Sequence, residues 1–355
     1  MKLAVSEGRE RIGYRLMATS ALVLIAAALM SLSLGATGIT LGALGRVLQA
    51  YVFGASDNAR IMEQLVLLEI RLPRTLLGAF VGAALAVSGA MMQGLFRNPL
   101  ADPGIIGVSS GAALAAVATI ALGNSLAAPL VQSFGTYALP FAAFFGGFVT
   151  TALLVLIAGR HGQLMVGTLL LAGIAIGALS GALTGLIAYA SDDRELRDLT
   201  LWSLGSLSGA SWPKVIAILP FMAVIAIVLP RVIRALNGFL LGEAEAFHLG
   251  IDVERTKWLI IFTTALSVGA AVAVAGVIGF VGIVVPHFVR LIAGPDHRFV
   301  LPCSALLGAS LLLFADVIAR MAVRPAELPL GVVMAAIGAP VFLHLVLRRG
   351  VGGLE

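Results

Sequence analysis

Few residues in this chain are placed to do covalent chemistry. Its three lysines, Lys2, Lys214 and Lys257, each lack the preceding glycine and following Ser or Thr of a phosphate-binding loop. Cys303 is the only cysteine, so neither a disulfide framework nor a Cys-x-x-Cys metal site can form. The histidines (161, 248, 287, 297 and 344) are scattered and include no His-x-x-x-His pair. The serines lie in apolar stretches without a histidine in register, which excludes a nucleophile–base pair on present spacing. Acidic residues avoid the centres of the apolar runs. Asp316 comes nearest, and Arg320 four residues later offers it a local ion pair. The reading is therefore a non-enzyme with no cofactor or metal of its own.

The elements holding these residues are apolar to a degree that soluble proteins do not reach. The chain is 60% hydrophobic and 12% charged, against about one quarter charged in globular domains. Its mean hydropathy is +1.05. Forty-one glycines fit close helix approach in lipid, where small residues favour packing. The net charge of +5 comes almost wholly from arginine. Without a basic run interleaved with aromatics, it marks loops beside a membrane and not a nucleic-acid surface.

The stretch Arg71–Gly111 sets the pattern. Two arginines bracket a proline, an uncharged run of about twenty residues follows, and the polar turn Asn98–Gly104 closes it. A run of that length crosses a bilayer as a helix. Applied along the chain, the same criterion gives ten spans, at about 16–34, 75–96, 104–122, 138–158, 164–190, 213–229, 258–276, 280–293, 300–318 and 328–347. Residues 35–70 read as an amphipathic outer segment, 191–212 as a short surface helix, and 230–257 as the most hydrophilic internal stretch. The basic N-terminal end and an excess of basic residues on the alternate loops put both termini in the cytoplasm. The fold expected is all-α and integral to the membrane, a single transmembrane domain over 1–355.

Two patterns bear on function. Gly173, Gly177, Gly181 and Gly185 recur at steps of four along the fifth span and so share one helical stripe. Such a stripe is either a helix-packing face or a smooth wall beside a pathway. Second, VGAALAVSG at 81–89 returns as VGAAVAVAG at 268–276, identical at seven of nine positions. With ten spans the two copies run in opposite directions, giving an inverted repeat over about spans 2–5 and 7–10, a design common in transporters. A self-sufficient secondary transporter uses such repeats too. It also needs an ionisable or broken-helix site near mid-membrane, and the scarcity of acidic residues there points to an external energy source.

RLPRT at 71–75, MQGLFRNPLADPGIIGVSSGAA at 92–113, GEAEAFHLGID at 242–252, GFVGIVVPHFVRLIAGPDHR at 279–298 and ELPLGVVMAAIGAPVF at 327–342 together resemble the FecCD permeases. These are membrane subunits of ABC importers for iron siderophores, haem and cobalamin. The resemblance covers the chain from about residue 60 onward. It implies a homodimer in the bacterial inner membrane, two cytoplasmic ATPase subunits holding ATP and Mg, and a periplasmic binding protein. It also implies that Arg71, Arg74 and Arg320 receive carboxylates of the binding protein, a task suited to bidentate, permanently charged guanidinium. The loop about 235–257, with Gly242, Glu243, Ala246, Leu249 and Gly250, would be the segment coupling to the ATPase, built as two short helices joined by a turn. Gln163 and Leu164 align with the family's inner gate but lack the small hydroxylic pair of some members. Motifs at 95–116 and 186–207 are most similar to haem permeases. A glycine-lined fifth helix with Tyr189 at its end, and Arg194 and Arg197 beyond, would suit a flat apolar ring with anionic edges. A siderophore or cobalamin fits the same features.

Overall fold

A computed structural model describes residues 2–35, 42, 45, 63–123, 125–160, 163–323 and 325–351. The described chain is almost wholly helical. Its helices are α1 (Lys2–Ser33), α2 (Leu72–Leu95), α3 (Val108–Ala121), α4 (Ala128–Phe134), α5 (Ala138–Ala158), α6 (Val166–Ala190), α7 (Asp193–Ser203), α8 (Trp212–Phe239), α9 (Glu243–His248), α10 (Val253–Ala275), α11 (Val281–Ala293), α12 (His297–Ala322) and α13 (Leu330–Val351). One two-residue hairpin, β1 (Gly159–Arg160) with β2 (Gln163–Leu164), pairs Gly159 with Leu164 and Arg160 with Gln163.

Among the described residues, seven helices or continuous helical stretches are long and apolar enough to cross a membrane, and α3, α11 and α13 are shorter apolar helices. At about 1.5 Å per residue, α3 and α11 reach only about 20 Å, less than the hydrocarbon thickness of about 30 Å. Each of the ten expected spans falls on a helix, several with shifted ends. The first begins at Lys2 and not near Leu16. Most of the expected amphipathic segment over 35–70 lies outside the described residues.

The sixth span was expected to stop at Leu229, before a proline. The helix α8 instead carries Pro220 and Pro230 inside it and continues to Phe239. Proline removes one hydrogen bond, a loss that packed membrane helices absorb. Beyond it the sequence is amphipathic: Val232, Ala235, Leu236 and Phe239 are buried, while Arg231 and Arg234 face out. That 3–4 spacing keeps the chain helical. Ahead of α2 the helix widens into a π turn over Val66–Arg71. Pro73 explains it, because its ring crowds the carbonyl four residues back and offers that carbonyl no N–H.

The centre of the bundle is α2, which packs on α8, α10, α11 and α12. Close approach there requires glycine. A Cβ on Gly82 would stand 2.3 Å from the Gly308 carbonyl oxygen of α12, and one on Gly89 only 1.9 Å from the Gly282 oxygen of α11. Helices α3 and α5 make a second such contact through Gly111 and Gly146. Both copies of the internal repeat lie in enclosed helices, α2 and α10, but their closing glycines differ. Gly89 stays helical at the contact with Gly282, whereas Gly276 takes a φ of +72° and ends α10. The prolines ten residues beyond each closing glycine differ as well: Pro99 is in a turn and Pro286 inside α11.

Gly89→Val should prevent correct packing of α2 on α11, since the clash is with backbone and overpacking typically costs about 1–3 kcal/mol even where side chains can yield. A monodisperse, normally melting Gly89→Val protein in detergent would contradict this packing. Gly181→Val, with nothing within 4 Å of its Cβ position, should melt with the parent.

Candidate functional site

The three arginines expected to face a partner are brought together, and each is engaged within the chain. Arg74 reaches two carboxylates. Its Nη2 donates to Asp316 Oδ1 at 2.8 Å and to Glu327 Oε2 at 2.9 Å, with Nε on Asp316 at 3.0 Å. Arg320 pairs with Asp316 at 3.0 Å, the expected one-turn pair, and donates to the Leu34 carbonyl at 3.1 Å. Arg71 donates to the carbonyls of Leu32 and Ser33 at 2.5 and 2.8 Å. Ser31 and Thr75 share a hydrogen bond of 2.9 Å beside them.

The cluster ties the end of α1, the start of α2, the end of α12 and the lead into α13. Asp316 is 1% exposed and Arg74 9%, while the Glu327 side chain is 38% exposed. Asp316 thus sits buried between two guanidiniums. Its Arg320 partner was evident from local spacing. Arg74 lies 242 residues away, and its pairing with Asp316 had no local signal beyond the presence of both motifs.

The loop after α8 turns at Gly242, whose φ is +134°. One six-residue helix, α9, follows, and the expected second short helix is absent: Gly250 (φ +78°) turns the chain and Asp252 caps the start of α10 directly. The Asp252 side chain accepts from the Arg255 N–H, so the polar residues after the turn extend the membrane helix instead of forming their own. Ala246 is buried, packed toward Gly238. Glu243 and Glu254 both bond the Lys257 ammonium, at 2.7 and 3.1 Å. Leu241, Phe247 and Leu249 are each more than half exposed. The loop therefore presents an apolar tip flanked by carboxylates.

The hairpin joins this loop, because the Leu164 N–H donates to Glu254 Oε2 at 2.9 Å. The Leu164 side chain is 4% exposed and belongs to the core of this chain.

The glycine stripe divides along α6. Gly173 is buried, Gly177 has only Ser110 Oγ at 4.0 Å from its Cβ position, and Gly181 and Gly185 face open space. Tyr189 is 90% exposed. Arg194 and Arg197 are exposed on α7, whose start is held by a capping box between Asp192 and Glu195. So one end of the stripe packs helices and the other is free.

Two further polar sites anchor the opposite end of the bundle. Arg290 donates to the Gln93 side-chain oxygen and to the Ala90 carbonyl, 3.1 Å, fastening α11 to α2. Asp296 caps α12, accepts from Asn237 Nδ2 at 2.9 Å and pairs with Arg298, which also reaches Glu10 of α1. Burial raises the Asp296 carboxyl, but the bonds from Arg298 and Asn237 outweigh it and hold the group below the usual carboxylate range. Asp102, in the turn before α3, is the reverse case: burial pushes its carboxyl up against one hydrogen bond from the Gly104 N–H.

This architecture, a helical membrane bundle with a buried arginine–carboxylate cluster at one end and an apolar-tipped loop between two crossing helices, is that of a transporter's membrane subunit. The sequence pattern of the FecCD transport family matches residues 23–348, and the chain belongs to that family. It is 48% identical over 289 residues to the hemin transport system permease protein HmuU of Yersinia pestis, covering 79% of this chain and 83% of the relative. It is 46% identical over 302 residues to the cobalamin import system permease protein BtuC of Halobacterium salinarum, covering 85% and 78%. A solved structure described as an inward-facing conformation of a putative metal-chelate type ABC transporter superimposes with a TM-score of 0.80 at 33% identity, over 94% of this chain and 99% of that one. The protein is accordingly a multi-pass membrane permease subunit of a bacterial ABC importer. It is the non-catalytic component and works with ATPase and binding-protein subunits.

Arg74→Met should cost about 3 kcal/mol, because it leaves the buried Asp316 carboxylate with half its charge partners. Thermal unfolding in detergent measures this. Arg255→Met, whose side chain is 90% exposed, is the control expected to fall within about 0.5 kcal/mol of the parent. Equal melting of the two variants would refute the structural role of the cluster.

Proposed function

We propose that this chain carries haem, as a homodimer whose pathway runs along the free part of the α6 glycine stripe. The observation that carries the reading is the open face at Gly181 and Gly185, leading to the exposed Tyr189 and followed by Arg194 and Arg197. A flat apolar macrocycle needs a wall without side chains and a cation near its anionic edge. The 48% identity to a hemin permease supports the choice of haem. A cobalamin or ferric-siderophore cargo is the second reading, favoured by the 46% identity to a cobalamin permease.

The rest of the machine follows from the same class. Ten crossings with both termini cytoplasmic place α9 on the inner side. There Leu249 and Phe247, with the turns at Gly242 and Gly250 and the packed Ala246 and Glu243, form a knob for the ATPase groove. Gln163 and Leu164 lie beside it and are the proposed inner gate, linked to the knob through Glu254. The arginine cluster is the proposed seat of the binding protein at the other end. Glu327, the exposed carboxylate of the cluster, is the group that a docked acid would displace.

Vesicles containing the permease, its ATPase and its binding protein should accumulate haem only with ATP, and should exceed uptake of cobalamin or a ferric siderophore at least tenfold. Preferential cobalamin uptake would transfer the assignment to the second reading. Gly181→Leu should leave the melting temperature unchanged and abolish uptake; normal uptake would remove the stripe from the pathway.

A further inference from the structure

Lys214 is one of three lysines in the chain, and nothing described so far uses it. It stands in the first turn of α8, half-buried, and among the described residues it makes no ion pair. Its ammonium folds back over the loop after α7, lying 3.2 Å from where a Cβ on Gly209 would stand. There it lines a cavity of about 320 Å³ between the start of α5, the loop after α7 and the end of α10. Lysine ammonium with no anion is unfavourable in a first helical turn, where the partial charge of the helix has the same sign.

The rest of the lining is complementary to an acid. Ser206 Oγ donates to Ser208 Oγ at 2.9 Å, which leaves the Ser208 hydroxyl hydrogen free to point into the cavity. The carbonyl of Ala275 at the end of α10 accepts from the Ser206 N–H at 2.8 Å. Leu139 and Pro140 form an apolar wall and Trp202 an amphipathic one. The cavity lies where α8 begins and α10 ends, both helices of membrane-crossing length. It is therefore at a boundary between water and hydrocarbon.

We propose that this cavity is an oxyanion subsite, in which Lys214 and Ser208 hold a carboxylate or phosphate borne on an apolar body. Such a group reaches it from two sources: the headgroup of an anionic phospholipid or an acidic cargo on its way through. The haem arm rests on the function proposed above, and the lipid arm does not. A charge-assisted bond to lysine at a partly desolvated site supports a binding difference of about tenfold or more.

The test uses the complete importer in nanodiscs and reads acylation of Lys214 by an amine reagent, with peptide mapping. Lys257, held by Glu243 and Glu254, is the internal reference. Nanodiscs of phosphatidylcholine give the open rate. Phosphatidylglycerol discs that slow Lys214 acylation at least tenfold identify the headgroup; slowing by added haem in phosphatidylcholine discs identifies the cargo. If neither probe slows the reaction, the subsite is overturned. Lys214→Gln should release the bound probe in native mass spectrometry and Lys214→Arg should retain it; equal retention by Lys214→Gln would also overturn it. Failure of haem import in vesicles, with phosphatidylglycerol still protecting Lys214, would refute the haem reading alone.

Discussion

Backbone-to-backbone contact at α2 is the constraint on which the rest of this bundle depends. Lipid supplies no hydrophobic force between helices, so association rests on van der Waals contact, hydrogen bonds and lipid entropy. Helix α2 meets that condition by presenting glycine to successive neighbours, Gly82 to α12 and Gly89 to α11, with Gly94 beside Leu236 of α8. Any side chain at Gly82 or Gly89 would meet a carbonyl. Because α2 is held this closely, the polar groups at its two ends fall within reach of α12 and α11, and both ends are fastened by an arginine.

Those two fastenings differ in kind. At one end Arg74 and Arg320 share Asp316, so charge is balanced by charge in a buried site. At the other Arg290 uses the amide oxygen of Gln93 and a main-chain carbonyl of α2, without a carboxylate among these contacts. Glu327 is the exposed member of the first. That property makes one cluster both a structural clasp and the proposed seat of a binding protein. The inner loop repeats this economy: Glu254 ties Lys257, the hairpin and α10 together, leaving the apolar side chains of α9 outside.

Much of this architecture was readable from the chain. Hydropathy placed ten apolar helices, glycines 276 to 282 marked the break between α10 and α11, and the polar stretch after Ala190 became a capped helix. The misreadings share a cause. The polar stretch expected from residue 230 onward carries amphipathic spacing that continues α8 to Phe239. In place of the second short helix expected in the loop 235–257, Asp252 caps the start of α10 itself. In both places a polar stretch reads as the end of a membrane helix, whereas amphipathic spacing or a cap keeps it helical.

By itself the sequence determined the membrane class, the helices, the family and the chemistry the chain does not perform, because hydropathy, charge and motif spacing are local properties. Tertiary structure alone decided which distant charges meet. Arg74 and Asp316 are 242 residues apart, and only folding makes them a pair. It also decided that Gly89 and Gly276, equivalent in the repeat, serve as a contact and a cap, and that half the glycine stripe packs while the rest stays open. A residue's partners depend on where other helices lie, and that information is distributed over the whole chain.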